Sequence, residues 1–161
     1  MSRSITITLS VKQLLFDIRN KAYLTGKTRE ADERIKATIQ ASSDDDPQML
    51  RAIQNAYDRV CILLGDYIAD SDEDSVDNTY IEDDSDDDDC TLTLDMPQNY
   101  NGGMSKSLAT MIHDYIVSSS LREWFQLCFK ADANDYVLLS NVGLEDIKSA
   151  VAKRKAPTRP E

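Results

Sequence analysis

The sequence holds one histidine, three cysteines and five glycines among its 161 residues, and each scarcity removes a class of function. A single histidine, His113, leaves little for nucleophilic catalysis, which needs a Ser or Cys beside the imidazole and a third group to orient it. His113 lies in a helical stretch between Ile112 and Tyr115, where a structural or surface role is expected. Cys61, Cys90 and Cys128 are widely spaced and odd in number. A disulfide framework favours an even, dense set, and structural zinc favours C-x-x-C pairs. Five glycines provide no phosphate-cradling loop, because Gly102-Gly103 lacks the Lys-Ser/Thr that completes one. The expectation is a protein without enzyme activity, metal or cofactor.

Long apolar runs are missing too. None approaches the roughly 20 residues that cross a bilayer, so no membrane is expected. The opening M-S-R-S-I-T-I-T-L-S alternates apolar and polar residues and has no signal-peptide core. Synthesis in a reducing cytoplasm is therefore expected. No repeat of 20 to 50 residues is visible, which argues against a solenoid.

What the sequence has in excess is negative charge, and it is local. The net charge is -11, yet residues 70–89 hold twelve acids and no Lys or Arg. Taking those twelve from the 29 acids leaves 17 against 18 bases, a nearly neutral body. Such a balance disfavours nonspecific nucleic-acid binding, which needs clustered cations. The one basic cluster, Lys153, Arg154 and Lys155, suits the end of a helix. Asp70, Asp72 and Asp74 imitate the start of an EF-hand loop, but Ser75 replaces the turn glycine and Ile81 the bidentate Glu.

Periodicity sets out a helical protein. Ile5, Ile7 and Leu9 alternate with Ser and Thr, as in a short strand or arm. Val11, Leu14, Leu15, Ile18 and Ala22 come next at helical steps, with Gly26 as the expected stop. A shorter helix over 28–41 carries Ala31, Ile35 and Ile39. Asp46 is expected to cap a third helix with Pro47 first inside it, running through Leu50, Ile53, Tyr57, Val60, Leu64 and Tyr67 to about Ala69. Residues 79–82 and 90–96 read as two arms of a β-hairpin with an acidic tip, making 70–96 an insertion.

Leu108, Ile112, Tyr115, Ile116 and Ser119 form one apolar face of a later helix; Val117, Leu121, Trp124 and Cys128 form a second. Two faces predict a central or kinked helix. A last helix over 135–153 is expected to turn Leu139, Ile147, Ala150 and Val151 inward, with Gly143 as a weak point and 154–161 as a tail. The fold class expected is mainly α. It is one domain, a bundle of four to five helices with a β-hairpin insertion and a short N-terminal strand.

The stretch S-L-A-T-M-I-H-D-Y-I-V-S-S-S-L-R-E-W-F, residues 107–125, resembles head-to-tail connector (neck or ring) proteins of tailed bacteriophages, including those of crAss-like gut phages. The order of helices around an acidic hairpin is similar as well. The resemblance implies a virion protein whose subunits form a ring, usually of twelve, between portal and tail, with DNA passing nearby unbound. Ile5, Ile7, Leu9, Tyr80, Ile81, Leu92, Leu94 and Trp124 are then the candidate contacts with neighbouring copies, portal or tail proteins. Asp83, Asp84, Asp86, Asp87, Asp88 and Asp89 are candidates for the channel lumen or ring rim, where like charge repels DNA. The rival reading is an acidic DNA mimic that inhibits a DNA-binding enzyme. It expects carboxylates spread over a rigid surface instead of gathered in one segment.

Overall fold

The computed structural model describes residues 2–28, 43–73, 75–77, 79, 81–83 and 89–158. Among these, strand β1 (Arg3–Leu9) leads into helix α1 (Val11–Lys27); α2 (Asp46–Leu63), β2 (Cys90–Met96), α3 (Ser105–Cys128) and α4 (Lys130–Val151) come after it in that order. The mainly helical bundle and the N-terminal strand are as expected. The helix read over 28–41 lies outside the described residues apart from Thr28.

Helix α3 is central: α1, α2, α4 and β1 all pack on it. That is why it needs two apolar faces, and Leu108, Ile112, Tyr115, Ile116, Val117, Ser119 and Leu121 are all buried. Helix α4 folds back along α3 after a single residue, Phe129. Stacking of Phe125 on Tyr136 (centroids 5.1 Å apart, planes 3° apart) joins the two near this corner, and Tyr136 Oη lies 3.3 Å from Thr25 Oγ1 of α1.

Several expected boundaries shift, among them the start of α4, which begins at Lys130 instead of Asp135. Gly26 is buried inside α1 and does not end it. Helix α2 starts at Asp46 with Asp45 as its cap; Asp46, expected to cap, instead forms an ion pair with Arg19 of α1. Helix α2 also stops at Leu63, and the chain then turns so that Ile68 bridges Leu94.

Strand pairing departs most from expectation. β2 pairs antiparallel with β1, from Arg3 opposite Met96 to Leu9 opposite Cys90. Thr79, Ile81 and Glu82 form no strand, and Tyr80 lies outside the described residues. The register sets Ile5, Ile7 and Leu9 beside Leu94, Leu92 and Cys90 on the face toward the helices. Thr6 and Thr8 meet Thr93 and Thr91 on the other face. A one-residue slip would invert both faces, so burial fixes the register.

Helix α4 also corrects the expected inward residues. Ile147, Ala150 and Val151 are buried, but Leu139 is exposed. The buried stripe mixes large residues with small ones, among them Ala133, Ser140 and Ala150. Gly143 sits so close that an added Cβ would lie 3.4 Å from Tyr115 Cβ. Its missing side chain, a weakness by helix propensity, permits a close helix–helix approach here.

Candidate assembly surface

The candidate contact residues divide sharply by burial. Ile7, Leu9, Leu92 and Leu94 are buried and Ile5 is half-buried, all within the core. Their side chains are committed to this chain's own sheet and helices, and what β1 leaves exposed is its Ser/Thr face, Ser4, Thr6 and Thr8. Trp124 is half-buried against the core, and its carbonyl accepts a hydrogen bond from Cys128 Sγ at 2.8 Å. Ile81 is half-buried and shares a cleft with Pro47 and Arg51 of α2, so it anchors the acidic excursion to the body.

The acidic candidates differ among themselves. Asp83 is exposed beside Leu15, Pro47 and Leu50. Asp84, Asp86, Asp87 and Asp88 lie outside the described residues. Asp89 has a structural partner: its Oδ1 accepts from Val11 N–H at 3.0 Å. This satisfies one of the free donors at the start of α1 and places a negative charge at the positive end of its dipole. Ser10 caps the same end from its side chain, more loosely, to Gln13 N–H at 3.4 Å.

The chemistry-bearing side chains are held in structural contacts. His113 Nε2 lies 2.6 Å from Asp17 Oδ2, a contact between α3 and α1 that local spacing could not reveal. Burial pushes the Cys128 thiol up to about 11 and also raises that of Cys61, which keeps both protonated and poorly nucleophilic at neutral pH. Burial likewise raises the Tyr57 phenol, helped by the nearby Cys61. Tyr57 Oη donates to Thr91 O at 2.8 Å. The Glu123 carboxyl is raised by burial against the opposing pull of Arg122 and Arg59. Among the described residues no three His, Cys, Asp or Glu stand where they could share a metal ion, and no helix is long and apolar enough to cross a membrane.

At the C-terminus the basic cluster closes a helix, in keeping with its place in the sequence. Arg154 Nη1 donates to Val151 O at 2.9 Å and to Lys153 O at 3.2 Å. Lys155 N–H donates to Asn99 O at 2.8 Å, tying the tail to the loop before α3.

One exposed apolar group lies outside the expected contact residues. Leu138, Leu139 and Val142 of α4 are 67%, 55% and 58% exposed, and Leu139 and Val142 border a cleft with Lys21 of α1 and Tyr115 and Ser118 of α3. The one-, three- and four-residue spacings of the three make a contiguous patch, and the signal was available in the small residues of the opposite stripe. A second feature is a groove of about 320 Å³ between the end of β1 and the first half of α3. It is lined by Thr8, Leu9, Ser10 and Gln13 on one side and Lys106, Ala109, Thr110 and His113 on the other. Comparison with protein-family models, curated proteins and solved structures finds no match to this chain.

Proposed function

We propose that the chain is a structural assembly subunit, a connector or ring protein that joins portal and tail around the DNA channel of a tailed bacteriophage. The apolar patch on α4 is the observation that carries this reading. Leu138, Leu139 and Val142 stand more than half exposed on one face of the last helix. Patches of this kind mark surfaces that a partner covers, and in a ring that partner is a neighbouring copy. The resemblance over residues 107–125 supports the choice of a connector among assembly proteins. The acidic segment suits a channel rim: Asp83 is exposed, and negative charge there would repel passing DNA.

Size-exclusion chromatography with light scattering, on the chain alone and with its portal protein, tests the reading. The expected outcome is a ring, formed alone or on the portal, that Leu138→Asp with Val142→Asp abolishes while the helical content stays intact. A chain that remains monomeric and ignores portal overturns it.

A further inference from the structure

The two long edges of the sheet differ in how their backbone groups are satisfied. On β2, Asp95 N–H donates to Tyr67 O at 2.7 Å, and Thr93 O accepts from Ala69 N–H at 3.0 Å. Alternate β2 residues therefore turn their peptide groups away from β1, and Thr91 O, which faces the same way, is taken by Tyr57 Oη. The residues opposite Asp95, Thr93 and Thr91 are Ser4, Thr6 and Thr8. By the same alternation these three present their N–H and C=O groups on the far side of β1. Among the described residues no strand pairs there, and the groove beside α3 runs along the end of that edge.

Within β1 itself little blunts the edge. Its seven residues contain no Pro, and the single charge, Arg3, stands at one end with its guanidinium over Gly102. The groove continues past Gln13 and His113 to Lys12 and Phe16, where Phe16 is 65% exposed. Lys12 and Lys106 line it; its one carboxylate, Asp17, is paired with His113.

We propose that this edge receives, from a second copy of the chain, the acidic loop of residues 70–77 as an added strand. The inference rests on the assembly reading and names a contact between neighbours additional to the α4 patch. Charge favours this occupant, since the loop sequence D-S-D-E-D-S-V-D has five acids to set against Lys12, Lys106 and Arg3. Position favours it as well. The loop leaves the sheet after Ile68, which bridges Leu94 on the side of β2 away from β1. Donor and acceptor thus lie on opposite flanks, the head-to-tail arrangement from which rings close. Val76, 86% exposed, is the loop's one large apolar side chain and would enter the groove against Leu9, Ala109 and Phe16. Main-chain bonding to Ser4, Thr6 and Thr8 supplies affinity, and the charges set specificity.

The test is fluorescence anisotropy with a labelled synthetic peptide of residues 69–79 titrated with the full chain, beside light scattering of the same variants. Binding should weaken tenfold or more in Thr6→Pro, which removes an outward N–H, and in Lys12→Glu with Lys106→Glu. A Val76→Asp peptide should bind at least fivefold more weakly. Circular dichroism confirms that each variant is folded. Peptide affinity indifferent to Thr6→Pro and to the charge reversals overturns the proposal. Self-association that Thr6→Pro abolishes while the peptide fails to bind also overturns it, and assigns the edge to a second β1. A ring that survives Thr6→Pro, with no peptide binding, keeps the assembly reading and sinks this one. Peptide binding through Thr6 by a chain that never assembles does the reverse.

Discussion

One edge of the two-stranded sheet is finished by its own chain and the other is not. Along β2, the turn after α2 returns to satisfy Thr93 and Asp95, and Tyr57 reaches up from α2 to cover Thr91. Along β1, the backbone groups of Ser4, Thr6 and Thr8 face outward with no such return among the described residues. The strands are the same length and alternate in the same way, so the difference does not lie in the strands. It lies in the route of the chain beyond α2, which passes β2 before its acidic excursion, while no described segment passes β1. Edge exposure in this protein is a consequence of chain path.

Two proline substitutions should separate the edges most widely. Asp95→Pro removes an N–H bonded at 2.7 Å to Tyr67 and leaves that carbonyl unpaired; about 3 kcal/mol of stability should be lost. Thr6→Pro removes an N–H with no described strand beside it and should cost about 1 kcal/mol, since edge positions facing solvent tolerate proline. Urea unfolding of both variants measures the gap. Equal costs would mean that the β1 edge is bonded within the monomer.

The same contrast explains what could be read from the sequence and what could not. Helices α1, α2 and α3 show themselves because Leu14, Ile18, Ile53, Val60, Ile112 and Leu121 recur at three- and four-residue steps, a local property. Strand β2 is visible by alternation, but a period of two carries no information about partner. The nearest strand-like stretch, 79–82, is therefore the natural mate by sequence, whereas the real mate is the N-terminal arm. The contact between His113 and Asp17 is hidden for the same reason. Helix α4 misleads differently: large apolar residues suggest an inward face, but close packing on Tyr115 selects Gly143 and Ser140, and Leu138 and Leu139 turn outward. Among the candidate contact residues, those that can be read as apolar are mostly core, and the open edge is a backbone property with no side-chain signature.

A smaller effect comes from Tyr57, the side chain that completes the closed edge. Tyr57→Phe should cost about 1 kcal/mol at neutral pH by leaving Thr91 O without its partner. Burial holds the phenol above its ordinary value of about 10, so the folded chain keeps this proton after the unfolded chain has released it. The stability that Tyr57 adds is therefore complete below about pH 10 and is lost as pH rises beyond it. Urea midpoints of wild type and Tyr57→Phe, compared at neutral pH and about half a unit above the ordinary phenol value, should converge at the higher pH. A constant difference would show that the hydroxyl is solvated and the edge is closed by Tyr67 and Ala69 alone.

The smallest effect lies where β2 begins and the acidic excursion returns to the body. Asp89 bonds Val11 N–H at 3.0 Å, and its charge stands at the N-terminal end of α1, where a carboxylate stabilises. Asp89→Ala should cost about 0.5–1 kcal/mol. Asp89→Asn keeps an acceptor oxygen but loses the charge, so it should recover part of that cost. High salt should narrow the gap between wild type and Asp89→Asn while leaving the Ala variant lowest. Such a result would make Asp89 a clasp that fastens the end of the acidic run beside β1. Indistinguishable stabilities for all three proteins would mean that Ser10 caps α1 unaided and that Asp89 adds nothing to the folded state.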